Sequence, residues 1–419
     1  MSLKSPIASP ATQTLDRHDE RLQSATGFID ELRMTGRRIR RGDIGSLPVV
    51  IGLVIIAAVF QTLNPLFLSS INLVNLMLDS AAVGTIAVGV VLVLLLAQID
   101  LSIGSDSGFA AAILAVTFVQ LGWPLWVALT LPLAMGAAVG AIYALLFLRF
   151  GVPSFVSTLG GLLAILGFQL FILGTNGSIN LPFDSFIVRF AQKMFLAPVT
   201  SYVLVVVVAV VYVGFALTSA AKRRRNGLSA SSVPGIWVRG ILLLVGLEAA
   251  VWYLNQSRGV AVMFLFFLGV IGVVAWALRR TRWGRAMFAI GGNVEAARRA
   301  GIRVGRIYLT AFILSSVLAA AGGLMAAGRL SAATLSSGTG DVNLDAIAAA
   351  VIGGTSLFGG RGSAQSALLG ILVIEAIASG LNLLNLDSSI RFMITGGVLV
   401  LAVVVDSLSR RSRAAHGTA

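Results

Sequence analysis

The stretch Gly291–Ile302 reads GGNVEAARRAGI and predicts a short helix whose two ends are both specified. Asn293 can be the N-cap, because its side-chain oxygen can accept a backbone N–H of the first turn. Gly301 is the expected left-handed stop, after which Ile302 can fold back on Ala297. We therefore predict a two-turn helix at residues 291–302.

A helix this short needs a surface to lie against, because in water the cost of nucleation outweighs so few hydrogen bonds. Its charges suit its dipole, with Glu295 in the first turn and Arg298 and Arg299 in the last. Small side chains would let another surface approach closely: Ala296, Ala297 and Ala300. Two interpretations stay open here: the helix packs on its own membrane domain, or it docks on a partner protein.

Composition identifies the class of protein. Of the 419 residues, 57% are hydrophobic and 11% are charged, whereas roughly a quarter of the residues of a soluble domain are charged. We therefore predict an all-α polytopic membrane protein that forms one continuous bundle. The net charge of +14 does not indicate a nucleic-acid partner. The basic residues lie in short runs at the ends of apolar segments, as the positive-inside rule expects.

The chain lacks the residues that most catalytic and metal sites require. It has no cysteine, and its two histidines, His18 and His416, lie in the tails. Disulfides, zinc sites and nucleophile–histidine catalysis are therefore excluded. None of the three lysines follows a glycine, so the chain has no phosphate-binding loop for ATP. We expect no catalytic residue, no metal and no cofactor bound by this chain, and no enzyme activity.

Both ends are predicted to be cytoplasmic tails. Residues 1–46 have no apolar core flanked by a cleavage site, and their arginines cluster just before the first span. Phe28, Ile29 and Leu32 share one helical face, so this tail is either an interfacial helix or a solvated segment. Residues 47–407 are predicted to form the transmembrane domain, and residues 408–419 the C-terminal tail.

Apolar segments predict about twelve crossings, some of them with broken helices. The segments are Pro48–Leu63, Ile71–Gln98, Ser107–Leu121, Trp123–Phe147, Pro153–Leu173, Tyr202–Leu217, Ile236–Leu254, Val260–Leu278, Leu309–Ala327, Leu344–Ile352, Ser366–Asn385 and Ile390–Val405. The second is too long for one straight crossing, and Asp79, Ser80 and Gly84 predict an interruption there. The tenth is too short to span. The basic C-terminus favours a half-helix broken at mid-depth over a re-entrant loop.

Two glycine-rich polar stretches, Gln98–Ser105 and Gly353–Ser363, interrupt the apolar pattern. Irregular backbone is tolerated at membrane depth only where protein or a water-filled cavity satisfies its hydrogen bonds. Their hydroxyls and amides suit the passage of a neutral, hydroxyl-rich solute. The alternative is that the glycines only allow tight helix crossing. The predicted pathway residues are Gln98, Asp100, Ser102, Ser105, Gly353, Gly354, Thr355, Gly359 and Gly360.

Three acidic residues lie inside predicted spans: Asp79, Glu248 and Glu375. An acid in such a position is a functional candidate by default. Glu375 shares its predicted helix with Asn382 and Asn385, and we add Glu375 and Asn382 to the predicted pathway. No lysine or histidine lies in a span to pair with these acids, which argues against a proton-coupled mechanism.

Four stretches, in this order and spacing, carry a more specific signal. Three of them are Gln98–Ser105, Val152–Leu159 and Ile352–Ser363. They are similar to the signatures A-x-I-D-L-S-x-G-S, V-P-S-F-x-x-T-L and I-G-G-T-S-L-x-G-G-x-G-S of the sugar permeases in the ribose/xylose group. Residues 291–302 resemble the cytoplasmic coupling loop of ABC importer permeases. The chain therefore resembles an ABC-type sugar importer permease over roughly residues 47–410.

The resemblance implies a homodimer in the lipid of the bacterial inner membrane, with both termini cytoplasmic. It also implies a separate ATPase subunit that holds ATP and magnesium, and an extracytoplasmic sugar-binding protein. The residues implied to dock the ATPase are Gly291, Gly292, Asn293, Glu295, Ala296, Ala297 and Gly301. An extra helical hairpin at about residues 222–278 resembles the xylose type and favours D-xylose. Arg299 departs from that type, which has leucine at this position.

Two other classes of function stay open. An ion- or proton-coupled secondary sugar transporter would need no ATPase subunit. A membrane enzyme acting on lipid-linked sugars would need a metal or an acidic pair in an external loop. The acids near such loops are Asp184, Asp341 and Asp345.

Overall fold

Regular structure in the described residues is almost entirely helical. The computed structural model describes residues 47–175 and 177–387, together with residues 389, 390, 393, 394, 396, 397, 400 and 404. Both predicted tails, residues 1–46 and 408–419, lie outside the described residues, as does most of the predicted last span.

The elements follow one another through short connections. The helices are α1 (Leu47–Leu63), α2 (Ser70–Leu95), α3 (Ile103–Ala115, continued by a π-helical turn at Val116–Gln120), α4 (Leu125–Phe150), α5 (Ser154–Leu173), α6 (Phe186–Gln192), α7 (Pro198–Arg225), α8 (Val233–Leu254), α9 (Val262–Arg280), α10 (Arg282–Gly292), α11 (Val294–Arg299), α12 (Val304–Leu330), α13 (Asp341–Ile352) and α14 (Ala364–Leu383). The strands are β1 (Ser178–Asn180) and β2 (Ala332–Thr334).

Nine helices in the described part of the chain are long and apolar enough to cross a membrane. They are α2, α3 with its π-helical turn, α4, α5, α7, α8, α9, α12 and α14. With the shorter apolar helices α1 and α13, they correspond one to one to the first eleven predicted segments. The prediction of an all-α polytopic membrane protein is confirmed.

Helix α2 has no break at the position where a kink or a break was expected. It runs as one helix through Asp79, Ser80 and Gly84. Arg329 on α12 pairs with Asp79, and Gly84 lets the ring of Phe267 approach its backbone. Because neighbouring helices accommodate these residues, the helix has no reason to open. Irregular backbone begins instead after Leu95, at the end of α2.

Two polar connections, at residues 175–199 and 330–343, contain regular structure. The first includes β1 and α6, and the second includes β2. The strands pair antiparallel, with Ser178 opposite Thr334 and Asn180 opposite Ala332. This small ribbon fixes the end of α5 relative to the end of α12.

The described chain divides into two compact units, Ala197–Asn255 and the remainder. The first unit consists of α7 and α8, which pack through Val213, Ala220 and Ile236. The extra hairpin predicted at about residues 222–278 includes α8 of this unit and α9 of the second unit. Helix α9 belongs to the second unit, where it packs against α2 and α14.

Helix α12 lies at the centre of the second unit because small residues allow close backbone contact. Gly89 of α2 lies against the backbone of Ser315, and Gly140 of α4 lies against the backbone of Phe312. Gly323 of α12 itself lies against the backbone of α3. Membrane helices gain packing contacts in this way without a hydrophobic driving force.

We predict that Gly89→Val destabilises the bundle. A Cβ at this position would lie 2.8 Å from Ser315 O, and such overpacking costs about 1–3 kcal/mol. Thermal unfolding of the purified protein in detergent should show a lower Tm. Gly167→Val is the matched control, because a Cβ there meets no atom within 4 Å. Equal Tm values for the two variants would contradict the packing described here.

Candidate functional site

Helix α11 is capped at both ends as predicted. The Asn293 side-chain oxygen accepts a hydrogen bond from Ala296 N at 2.9 Å. Gly301 takes φ +80°, and Ile302 N donates to Ala297 O at 3.1 Å. A second reverse bond, from Gly301 N, completes the Schellman arrangement of a left-handed glycine cap. The predicted capping is confirmed for a helix of six residues.

One face of α11 attaches it to its own chain, and the other face is exposed. Ala297 is buried, whereas Asn293, Glu295 and Ala296 are exposed. Glu295 and Arg298 form an ion pair at 2.8 Å in which both side chains are largely exposed, so it adds little stability. The described residues therefore leave a pre-formed polar surface uncovered.

The glycine loop, which we define as Gly353–Ser363, is irregular because its glycines take left-handed backbone angles. Gly354, Gly359 and Gly360 have φ of 103°, 79° and 70°, which residues with a side chain rarely adopt. Ser356 N donates at 3.0 Å to the carbonyl of the residue five positions later. The loop is therefore a folded element rather than a loose connection.

Three segments that are distant in sequence meet at backbone level beside this loop. Gly360 N donates to Leu95 O, at the end of α2, at 2.9 Å. A Cβ on Gly291, at the end of α10, would overlap both of these atoms. A Cβ on Gly359 would lie 2.9 Å from Gly291 O and from Ala97 N. We call this main-chain contact between α2, α10 and the glycine loop the glycine junction.

The Gln98–Ser105 stretch is held by hydrogen bonds within itself and to two other helices, α5 and α13. Asp100 Oδ1 accepts from Ser102 N at 2.9 Å and from Ser102 Oγ at 2.7 Å. Leu101 N donates to Thr158 Oγ1 of α5 at 3.1 Å, and Asn343 Nδ2 of α13 donates to Leu101 O at 2.8 Å. These bonds satisfy the irregular backbone that precedes α3.

The predicted pathway side chains fall into two groups. Gln98 is half-buried and lines an open cleft of about 340 Å³. Asp100, Ser102, Ser105 and Thr355 are buried inside the chain, and in this conformation Asp100, Ser102 and Ser105 form hydrogen bonds within their own stretch. Among the predicted glycines, Gly353 lies against the backbone at the start of α14, Gly354 is exposed, and the other two form the glycine junction.

Two predicted pathway residues lie away from the loops. Glu375 and Asn382 are on α14, which begins after the glycine loop. At 1.5 Å per residue they lie roughly 16 Å and 27 Å along that helix from its start. Glu375 is half-buried and Asn382 is exposed. The structure therefore does not bring them to the glycine junction.

Two features were missed by the sequence analysis, the buried acid Asp106 and the ion pair of Asp79. Asp106 is fully buried in the first turn of α3, and its N–H donates to Ser102 O at 2.8 Å. The predicted span began one residue after it, so it was not counted as an intramembrane acid. Asp79 pairs with Arg329 at 2.8 Å. This pairing was missed because only lysine and histidine were considered as partners.

Comparison with known proteins agrees with this architecture. A family model described as a branched-chain amino acid transport system / permease component matches residues 72–403. The chain belongs to this permease family. No solved structure matches the chain significantly.

Curated relatives cover most of the permease. The xylose transport system permease protein XylH of Escherichia coli strain K12 is 35% identical over 351 residues, 84% of this chain and 88% of the relative. XylH of Haemophilus influenzae is 32% identical over 369 residues, 87% and 96% of the two chains. The ribose import permease protein RbsC of E. coli K12 is 31% identical over 359 residues, 85% and 92%.

These relatives confirm the predicted resemblance to sugar ABC permeases of the ribose/xylose group and a multi-pass inner-membrane protein. Because such permeases are transport components, the prediction that the chain is not an enzyme is confirmed, and the membrane-enzyme alternative is not retained. Within the described residues, no cluster of three or more His, Cys, Asp or Glu side chains is placed to hold a metal ion.

We predict that Gly291→Ala opens the glycine junction. Its Cβ would overlap Leu95 O and Gly360 N, so the Gly360 N–H should lose its partner and exchange faster with solvent. Hydrogen–deuterium exchange of peptides covering Gly353–Ser363 measures this. The neighbouring Gly292→Ala is the control, because a Cβ there meets no atom within 4 Å. Unchanged exchange in Gly291→Ala would count against a tight main-chain contact.

Proposed function

We propose that this chain is the membrane-spanning permease subunit of an ATP-driven ABC importer for a monosaccharide, namely a pentose such as D-xylose. The observation that carries the proposal is the glycine junction. It connects the exposed, capped helix α11 to the glycine loop, one of the three stretches that resemble the sugar-permease signatures. The substrate class is inferred from the names of the relatives.

Helix α11 is the proposed docking element for a separate ATPase. Its exposed face, with Asn293, Glu295 and Ala296, is polar and pre-formed, so a partner groove could bind it without ordering it first. ATP and magnesium would bind to that partner, since the chain has no phosphate-binding loop. The proposed docking set also contains Gly291, Gly292, Ala297 and Gly301.

The same contacts provide a route for motion. A displacement of α11 would move Gly291 at the end of α10. Gly291 would in turn displace Leu95 and Gly360, with which it is in main-chain contact. Packed backbones transmit displacement because they have little room to deform. We infer that ATP binding and hydrolysis in the partner shift the end of α2 and the glycine loop, and that this opens and closes the pathway.

The remaining assignments follow from the same proposal. The pathway would lie within a homodimer of this chain in the lipid bilayer and would receive sugar from an extracytoplasmic binding protein. Both termini would be cytoplasmic, as the arginine clusters at each end favour.

The alternative is an ion- or proton-coupled secondary sugar transporter. The buried acids Asp100 and Asp106 favour it, because buried carboxylates are typical of ion and proton routes. The two proposals differ in energy source. We expect uptake of labelled D-xylose into proteoliposomes to require ATP, the ATPase subunit and the binding protein. Accumulation by this chain alone under an ion gradient would support the alternative.

We predict that Gly301→Pro uncouples the importer. Proline fixes φ near −65° and removes the N–H, whereas Gly301 needs φ +80° and donates to Arg298 O. In the reconstituted complex, ATP-driven uptake should fall by at least about ten-fold, corresponding to a loss of roughly 1.4 kcal/mol or more in coupling.

Gly301→Asn is the matched control, because asparagine tolerates the left-handed region and keeps the N–H. It should transport at close to the wild-type rate. Normal transport by the Gly301→Pro protein, with its insertion verified, would show that α11 does not couple to the ATPase.

A further inference from the structure

A polar stripe runs along one face of the otherwise apolar helix α2. Asn72, Asn75 and Asp79 are spaced i, i+3 and i+7, so they lie on the same side of the helix. Arg329 of α12 joins them, because its Nε donates to Asp79 Oδ1 at 2.8 Å and its Nη2 to Asn75 Oδ1 at 3.3 Å. Ser379 Oγ of α14 donates to Asn72 Oδ1 at 3.0 Å. Three helices therefore contribute to one polar surface.

Partial exposure indicates that this surface faces water. The side chains of Arg329 and Asp79 keep 23% and 43% of their surface exposed. Charged groups within membrane helices are costly against lipid and almost always face the bundle interior or a water-filled cavity. Their exposed parts are therefore best accommodated in an aqueous space among the helices.

The ion pair is not needed to hold its two helices together. Helices α2 and α12 are already in backbone contact at Gly89, and again at Gly322, whose Cβ would lie 2.7 Å from Ala82 O. A partly exposed ion pair adds little to such packing. A role in binding explains its position better than a role in stability.

The cluster keeps hydrogen-bonding capacity that the described residues do not use. Asp79 Oδ2, Arg329 Nη1 and the Asn75 amide nitrogen have no hydrogen-bond partner within that part of the chain. Together they offer one charged acceptor and two donors on planar groups. This combination suits the adjacent hydroxyls of a sugar, which both donate and accept.

The cluster lies far from α11. Arg329 is the next-to-last residue of α12, whose first residue Val304 follows the α11 cap, so the two ends are roughly 40 Å apart along the helix axis. Asp79 lies roughly 24 Å along α2 from Leu95 at the glycine junction. The polar cluster is therefore at the opposite end of the bundle from the proposed docking element, where an incoming solute would arrive.

We propose that Asn75, Asp79 and Arg329 form a sugar-hydroxyl binding site of the permease itself, which contributes to substrate selection after release from the binding protein. This inference rests on the proposed function. The permease would then select among sugars at this site on α2 and α12, in addition to the selection made by the sugar-binding protein.

The test uses the full reconstituted complex with saturating, sugar-loaded binding protein, so that capture by that protein does not limit the rate. Uptake of D-xylose is compared with uptake of its monodeoxy derivatives that the binding protein still binds. We expect Asp79→Asn to slow D-xylose uptake and to reduce the preference over one deoxy derivative by about ten-fold, since a charged hydrogen bond would be lost. Asp184→Asn, an exposed acid in a connection, is the matched control and should change neither.

A charge swap distinguishes a sugar-binding role of the Asp79–Arg329 pair from a purely structural role between α2 and α12. The double variant Asp79→Arg with Arg329→Asp can restore an ion pair but not the arrangement of donors and acceptors around Asn75. Slow, unselective uptake in the swap, with ATP hydrolysis still stimulated by loaded binding protein, supports the site. Recovery of the wild-type rate and preference in the swap would overturn it, as would unchanged preference in Asp79→Asn. If the wild-type complex showed no ATP-dependent uptake, the proposed function would fail instead.

Discussion

Backbone polar groups in an apolar environment must find partners inside the protein, and this constraint determines where the helices of the permease can end. Beyond Leu95 the chain leaves helical geometry, and neighbouring elements supply partners for several of its backbone groups. Gly360 N bonds Leu95 O, Thr158 receives the N–H of Leu101, and Asn343 donates to the carbonyl of Leu101. The irregular backbone after α2 is tolerated because three other elements, the glycine loop, α5 and α13, are positioned to complete its hydrogen bonds.

The hydrogen bonds of one residue also join α10 to α11. Asn293 ends one helix and begins the other, because its N–H donates to Ala289 O while its side chain accepts from Ala296 N. Asn293 is therefore the only residue between α10 and α11, and Gly291 of the glycine junction lies two positions before it. Little flexible backbone lies between the proposed docking surface and the end of α2, so little of a displacement of α11 would be absorbed between them.

Local features could be predicted from the sequence, and features that depend on distant partners could not. The caps at Asn293 and Gly301 use residues within a few positions of each other, so composition and spacing specify them. The partner of Asp79 of α2 is Arg329, which lies 250 residues away in the sequence. Likewise, the hydroxyls of Ser102 and Ser105 were placed on a solute route because the chain segments that bury them cannot be recognised from hydropathy. The family signatures located the loops but not the contact between them.

The inward and outward faces of α11 are separate, with Ala297 fixing the helix to its own chain and the polar residues turned away from it. Attachment and recognition therefore use different atoms. Redesign of the outward residues alone should leave the fold intact. If α11 docks an ATPase as proposed, the permease is a scaffold on which specificity for a different ATPase subunit could be engineered, so that two importers in one cell would each use their own ATPase.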